Sequence, residues 1–161
     1  MKNLLILLCL LILSSCKEGN KVPKKNDKEI FNFVLSDTIA IGRNLARINE
    51  YSRVLNNNQE PFISVIVKNE NEDGTKIIDT FSDGLRNPFF GISRYSVGNH
   101  KIEFTIEEKI ATKTEIDNDS MELSIQDIYH HFDFNVYVKG NGYESPLNEI
   151  LRKKMDEEYE E

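Results

Sequence analysis

Apolar residues alternate with polar ones in two stretches of this 161-residue chain, Lys101–Glu107 and 132–138. The apolar positions are Ile102, Phe104 and Ile106 in the first stretch and Phe132, Phe134, Val136 and Val138 in the second. Successive side chains of a β-strand point to opposite faces, so this period predicts strands that each turn one face toward a core.

Further strand-like segments are separated by turn residues. They are Glu29–Ser36, Thr38–Ile41, Phe62–Lys68, Lys76–Phe81, Phe89–Ile92 and a piece with Met121, Leu123 and Ile125. Phe62–Lys68 is almost entirely β-branched and aromatic, which predicts a central strand covered on both faces. Asp73-Gly74 is a strong hairpin signal. About seven to nine short strands without helical crossovers predict a mainly β, antiparallel sandwich.

A turn at Tyr95–His100 precedes the strand Lys101–Glu107. A tyrosine and a glycine ahead of a strand of alternating hydrophobic residues resemble the corner of immunoglobulin-like domains. The resemblance covers about a dozen residues and implies an immunoglobulin-like β-sandwich. We assign residues 29–142 to this domain.

The stretch Arg43–Leu55 is compatible with two structures. Its apolar residues fall at helical spacing, and its Leu, Ala, Arg and Glu residues favour a helix. Gly42 is a poor helix start, and the flanking segments are strand-like, which favours an extended strand with an irregular middle. The sequence leaves both structures open.

Residues 143–161 predict a C-terminal helix and an acidic tail. Ser145 suits the N-cap and Pro146 the first helical position. The apolar residues at helical spacing are Leu147, Ile150, Leu151 and Met155. We expect a helix over Ser145–Met155 with a frayed end, because the acids that follow oppose its dipole. Its apolar stripe predicts docking on the edge or open end of the sandwich; the alternatives are a partner protein or a disordered tail.

The N-terminus has the order of a signal peptide. Lys2 precedes the apolar run Leu4–Leu13, and Ser14-Ser15-Cys16 follows it. A positive region, a short apolar region and a small-residue cleavage site mark a secretory leader. The run is shorter than the roughly 20 residues that span a bilayer. We therefore predict that residues 1–15 are removed.

The ending Leu13-Ser14-Ser15-Cys16 resembles the lipobox of bacterial lipoproteins. The resemblance implies cleavage between Ser15 and Cys16 and a lipid on Cys16 that anchors the protein to a membrane. The alternative is an ordinary secretory signal with an incidental cysteine. By analogy with other lipoproteins, Lys17 after the cysteine favours onward transport to the outer membrane. The expected location is thus the bacterial cell envelope.

The charge of the predicted mature chain is unevenly distributed. Residues 16–28 hold five lysines and two acids, with one apolar residue, Val22, and predict a flexible tether. Residues 29–161 hold 14 basic and 25 acidic residues, a net charge of −11. A basic tether suits an anionic bilayer surface, and its lysines serve equally well to keep a linker soluble. The acidic body argues against nucleic acid as a partner.

No cysteine is left for chemistry in the predicted mature chain. Cys9 lies in the leader, and Cys16 is consumed by the lipid. A disulfide, a thiol nucleophile and a thiolate metal ligand are therefore not expected. The fold has to rest on its hydrophobic core.

The histidines do not predict a metal site. His130 and His131 are adjacent in a predicted strand, so they point to opposite faces and cannot chelate one ion. His100 lies at a turn far away in the sequence. We expect polar residues that flank a strand.

The acidic turns resemble calcium loops only superficially. Asp117 and Asp119 precede Glu122, which occupies the position where an EF-hand loop has glycine, and Ile128 replaces the final glutamate. We expect a solvated turn here and at Glu70–Asp73, and no bound metal or cofactor.

The sequence carries none of the short motifs of nucleotide, phosphate, zinc-protease or serine-hydrolase sites. We assign no catalytic residue. The lipid anchor, the tether and a single β domain favour a non-enzymatic module that binds a protein or a glycan in the envelope. The alternatives are a glycan-active enzyme with a dispersed carboxylate site and a structural subunit of an envelope complex.

Overall fold

The computed structural model describes residues 30–159, apart from residues 83, 85, 118, 119 and 141. Within these limits the chain forms eight strands and one helix. They are β1 (Phe31–Val34), β2 (Thr38–Ala40), β3 (Gly42–Tyr51), β4 (Gln59–Glu70), β5 (Lys76–Phe81), β6 (Phe89–Arg94), β7 (Gly98–Asp117), β8 (Ser120–Lys139) and α1 (Pro146–Tyr159).

The strands form two sheets, which confirms the mainly β sandwich. One sheet has the order β1-β3-β6, and the other has the order β2-β8-β7-β4-β5. All neighbours are antiparallel except β2, which runs parallel to β8. This order agrees with the immunoglobulin arrangement, in which β1, β3 and β6 correspond to strands A, B and E, and β8, β7 and β4 to G, F and C.

Aromatic rings fill the space between the two sheets. Phe104 of β7 contacts four rings at centroid distances from 5.2 to 5.5 Å. These rings belong to Phe33, Phe90, Phe132 and Phe134. Ile102, Phe104 and Ile106 are all buried, as their alternation predicts. The core therefore joins β1 and β6 on one side to β7 and β8 on the other.

The ambiguous stretch after Gly42 is a strand, β3, which ends at Tyr51. Its residues Asn44, Ala46 and Ile48 are buried in alternation. Cover on one side by the other sheet imposes period two, and this overrides the helical preference of the individual residues.

The prediction that Phe62–Lys68 is covered on both faces is wrong. Ile63, Val65 and Val67 of β4 are buried, whereas Phe62 on the opposite face is 46% exposed. The second face of this sheet has no covering layer among the described residues, so β-branched composition here marks a strand with one buried face.

The two longest strands form one hairpin, β7–β8, with 20 residues in each strand. The sequence analysis places Met121–Ile125 and Phe132–Val138 in separate strands. The structure joins them, since β8 pairs with β7 in unbroken register from Glu115↔Met121 to Gly98↔Val138.

The C-terminal helix α1 docks on the edge of β3. The side chain of Asn148 accepts a hydrogen bond from Leu45 N at 2.8 Å and donates one to Asn44 Oδ1 at 2.9 Å. This contact covers β3 beyond the end of β1, as the docking prediction expects.

The helix differs from its prediction in two respects. It continues through the acidic residues to Tyr159, because Glu158 pairs with Arg47 of β3 at 2.7 Å. Ile150 is exposed, so the buried part of the stripe centres on Leu151.

Candidate interaction surface on the long hairpin

The β7–β8 hairpin extends past the rest of its sheet. β4 pairs with β7 only as far as Thr112, and β2 pairs with β8 only at Tyr137–Lys139. We call residues 110–117 of β7 and 120–128 of β8 the hairpin arm. By the rise of a strand, the last eight residues of β7 and the first eight residues of β8 each cover about 27 Å.

One face of the hairpin arm carries an apolar row on β8 that is open to solvent. Met121, Leu123 and Ile125 of β8 are 68%, 59% and 60% exposed. They share this face with the half-exposed Phe62 of β4 and with the β7 residues that lie opposite them, which are the buried Ala111 and the charged Lys113 and Glu115. We call this surface the outer face, since it points away from the core of the sandwich.

The exposure of the outer face follows from a change of phase along β8. Between His130 and Val138 the even-numbered residues face the core, whereas the apolar residues of the arm are odd-numbered. Side chains two apart share a face in an unbroken strand, so Met121, Leu123 and Ile125 cannot join the same core. The sequence places them where the sandwich offers no cover.

Charged residues of both signs border the outer face. Lys113 lies 3.7 Å from Glu60, and Lys109 lies 3.3 Å from Glu107. Tyr129 donates a hydrogen bond to Glu107 at 3.1 Å. An apolar centre within a polar rim is the usual anatomy of a protein–protein contact surface.

A buried ionic cluster lies where the hairpin arm leaves the sandwich. Glu108 of β7 is fully buried and accepts hydrogen bonds from Arg53 through both carboxylate oxygens, with Nη2 at 2.6 Å from Oε2. Tyr51 donates to Oε1 at 2.5 Å, and His130 Nε2 lies 2.8 Å from Oε2. The cluster ties the end of β3 to both strands of the hairpin.

The protonation of Glu108 supports a structural role for this cluster. Burial raises the pKa of the carboxyl, but the hydrogen bonds from His130, Arg53 and Tyr51 outweigh burial and hold the pKa below its ordinary value. Burial and the bond to Glu108 raise the pKa of Tyr51. The cluster therefore holds an ionised carboxylate among donors, inaccessible to a substrate.

The three histidines lie apart, as their positions predict. His130 is buried beside Glu108, whereas His131 on the opposite face contacts Thr105 Oγ1 at 2.9 Å. His100 contacts the carbonyl of Ser96 at 2.8 Å. Within the described part of the chain, no three His, Cys, Asp or Glu side chains are grouped as metal ligands.

The structure describes the acidic turn at Glu70–Asp73 in full and the one between Asp117 and Glu122 only in part. Asp119 lies outside the described residues, and Glu122 is exposed. In the β4–β5 turn, Asp73 accepts hydrogen bonds from the amide and hydroxyl of Thr75 at 2.9 and 2.7 Å, and these bonds lower its pKa. Gly74 has a φ of 81°, which this tight turn requires. This turn is built by its own hydrogen bonds.

A shallow cavity of about 300 Å³ lies farther along the same sheet face and contains two carboxylates. Glu103 and Asp133 are cross-strand neighbours, and Lys101 lies 3.6 and 3.4 Å from them. The hydrogen bond from Lys68, at 2.9 Å, lowers the pKa of Glu103. Both carboxylates are thus held in ion pairs with exposed lysines, Glu103 with Lys68 and Lys101 and Asp133 with Lys101.

The predicted anchor lies outside the described residues, which begin at Ile30. Ser15 and Cys16 thus stay a prediction of the sequence, together with the leader and the tether. Among the described residues, no helix has the length and apolar character to cross a membrane.

Three comparisons with known proteins returned no similarity. No family model matches the chain, and neither a curated protein nor a solved structure matches it. The geometry of the hairpin arm and the sequence of the N-terminus are therefore the basis for a function.

Proposed function

We propose that this protein is a lipid-anchored, non-enzymatic module of the bacterial cell envelope that binds another protein through the outer face of its hairpin arm. The exposed apolar row Met121, Leu123 and Ile125 carries the proposal. Contiguous exposed apolar patches with polar rims mark interaction sites in soluble domains. The lipobox-like ending at Cys16 supplies the anchor.

The chemistry of the outer face favours a protein over a glycan as the partner. Its centre consists of aliphatic side chains and a methionine, and the aromatic Phe62 lies at its margin. Such a surface gains free energy by excluding water from apolar area, at roughly 25 cal/mol per Å². A protein partner with an apolar surface of its own would exclude water from both surfaces, which a glycan rich in hydroxyl groups would not.

The hairpin arm also has the stiffness that a presenting element needs. Its two strands are paired along their length, and Glu108 with Arg53 and Tyr51 fixes its base to β3. A preorganised surface loses little conformational entropy on binding. The arm holds the outer face in one orientation while the predicted tether provides reach from the membrane.

A double variant of the outer face tests the binding proposal. Leu123→Ser with Ile125→Ser removes the apolar centre, and Glu122→Ser with Gln126→Ser is the matched control on the opposite face of the same strand. Both variants should keep the wild-type melting temperature, because all four side chains are exposed. A partner recovered with the wild type and the control, after cross-linking in intact envelopes, should be lost with the outer-face variant.

Two results would overturn this proposal. One is equal recovery of the same partner with the outer-face variant and the control. The other is turnover of envelope glycans by the purified full chain that a single Asp→Ala or Glu→Ala substitution abolishes, which would favour the enzyme. Stoichiometric co-purification within a large complex would instead indicate a structural subunit.

The anchor is tested separately by Cys16→Ala. Without the acceptor thiol, the lipid cannot be attached, and the precursor should stay uncleaved or be mis-sorted. Sedimentation with membranes and the size of the product on a gel give the readout. A variant that is processed and sediments as the wild type does would show that the lipobox interpretation is wrong.

A further inference from the structure

The proposed function leaves the free edge of β8 unused. β2 covers this edge only at Tyr137–Lys139, and none of the described strands pairs with it between Ser120 and Val136. An uncovered edge presents a row of N–H and C=O groups that can pair with another strand. The edge is a surface distinct from the outer face, since it uses the backbone.

One hydrogen bond fixes which residues direct their backbone groups to this edge. Tyr137 N donates to Asp37 O, next to β2, at 2.8 Å. Backbone groups alternate in direction along a strand, and the register with β7 is unbroken down to Met121. The odd-numbered residues of the arm therefore turn their N–H and C=O toward the free edge, and their side chains lie on the outer face.

We propose that this edge pairs with the same edge of a second copy of the chain, antiparallel, about a two-fold axis at Leu123. Leu123 then faces its own copy, and Met121 faces Ile125 of the second copy. Each of these odd-numbered pairs exchanges two main-chain hydrogen bonds. The two five-stranded sheets become one continuous sheet with a self-complementary contact.

The sequence of residues 120–126 is self-complementary in this register. On the outer face apolar residues meet only apolar ones. On the opposite face Glu122 meets Ser124, and Ser120 meets Gln126. No like charges lie directly opposite each other. This favours the register, because two like charges in opposite positions destabilise a sheet. This complementarity with itself favours a second copy over an unrelated strand.

The neighbouring registers are less favourable. A shift of the axis to position 122 places Glu122 opposite its own copy, with the repulsion of two like charges. A shift to position 124 places Met121 opposite Asp127. The apolar row thus selects Leu123 as the centre.

Pairing through this edge enlarges the outer face. A two-fold axis perpendicular to the sheet keeps both outer faces on the same side. The rows Met121, Leu123 and Ile125 of the two copies then lie next to each other. The dimer therefore presents a contiguous apolar surface twice as wide as that of one copy. Such a contact between two copies goes beyond the proposed function.

A disulfide trap tests the register. In the full chain with Cys9→Ser and Cys16→Ser, an introduced cysteine is the only thiol. Leu123→Cys should form a disulfide-linked dimer, because directly opposite residues of a hydrogen-bonded pair have Cα atoms about 5.5 Å apart, within disulfide range. Asp127→Cys is the control on the same strand and face; its copies lie eight residues out of register, about 27 Å apart. Absence of the Leu123→Cys dimer, or equal cross-linking of both variants, would overturn the proposal.

Two proline variants test the edge hydrogen bonds. Leu123→Pro removes an N–H that points to the free edge, a position where strands tolerate proline. It should convert the dimer to a monomer by light scattering without changing the circular dichroism spectrum. Ser124→Pro removes an N–H on the β7 side, where Ser124 pairs with Thr112, and should lower the melting temperature. A wild-type chain that is monomeric at all concentrations, or a Leu123→Pro variant that stays dimeric, would overturn the inference.

These outcomes separate the edge from the outer face. A double serine variant, Leu123→Ser with Ile125→Ser, that stays dimeric but loses the partner shows that the edge and the outer face are separate surfaces, because both substitutions leave the backbone N–H groups in place. A Leu123→Cys dimer together with undiminished partner recovery by the double serine variant supports the second-copy contact and overturns only the proposed function.

Discussion

The two halves of the β7–β8 hairpin, its base and its arm, hold alternating apolar residues in opposite environments. We call the rest of the hairpin, residues 98–109 of β7 and 129–139 of β8, its base. In the base, Phe104 and Phe132 are buried between the sheets, whereas in the arm Leu123 and Ile125 are exposed. Apolar and polar residues alternate in the base and along β8 in the arm, and both halves belong to the same continuous strands. The difference shows that period two specifies a strand, whereas burial depends on whether another layer lies over the apolar face.

The largest expected contrast comes from one truncation in each half. Phe104→Ala removes a ring that packs on four others, and the free energy of unfolding should fall by roughly 3–5 kcal/mol. Leu123→Ala in the arm should change it by less than about 0.5 kcal/mol, as exposed substitutions do. Urea denaturation measures both. Comparable losses would mean that the arm is covered in solution.

The buried carboxylate at the junction of the two halves gives the next largest effect. Glu108→Gln leaves Arg53 without its ionic partner in a buried site and should cost about 3 kcal/mol. Glu107→Gln, its neighbour on the opposite face, is the control and should cost less than about 1 kcal/mol, because its partner Lys109 is exposed.

The same site predicts how stability depends on pH. The pKa of Glu108 is lowered in the folded state, so its contribution is complete above the unfolded value of about 4.3 and is lost as the pH falls through the folded value. Unfolding curves between neutral and acidic pH should show this loss for the wild type. Glu108→Gln should lack this component, and an unchanged acid limb in the variant would contradict the assignment.

Phe134 sharpens the comparison within the base. It is half-buried and stacks on Phe104 at 5.5 Å, so Phe134→Ala should cost about 2 kcal/mol, below the roughly 3–5 kcal/mol of a fully buried ring. Tyr137→Ala on the outer side should cost about 0.5 kcal/mol. Thermal melting of both variants gives the ranking. Equal costs would mean that the assigned faces of β8 are wrong.

The smallest effect concerns a covered edge, for comparison with the free edge of β8. Asn148→Ala removes the side-chain oxygen that accepts the hydrogen bond from Leu45 N, and it should lower the free energy of unfolding by about 1 kcal/mol. Lys154→Ala on the exposed side of α1 is the control and should be neutral. Circular dichroism melts distinguish them. If both variants melt like the wild type, then α1 does not stabilise β3.

Much of the fold could be predicted because local signals and tertiary structure agree. The alternation at Ile102, Phe104 and Ile106 marks β7, and Ser145 with Pro146 marks the start of α1. The extended form of β3 does not follow from its own residues, since their helical preferences compete with cover by the second sheet. The residues of this segment carry no information about which other sheet packs on it.

The candidate surface was missed for an identifiable reason. The shift from odd apolar residues at Met121–Ile125 to even ones at Phe132–Val138 is visible in the sequence, but it looks like a break between two strands. The unbroken pairing with β7 shows that both segments belong to one strand, so the odd-numbered apolar residues must lie on the face opposite the core. The contact of Glu108 with Arg53 spans 55 positions and leaves no local signal.

The most direct test of the outer face is a scan with a photo-cross-linking residue placed singly at positions 121–126 of the full chain in intact cell envelopes. A partner seated on the outer face predicts cross-links from positions 121, 123 and 125 to a protein other than a second copy of this chain, and none from positions 122, 124 and 126. Equal yields from both sets, or cross-links from the even positions alone, would contradict the account.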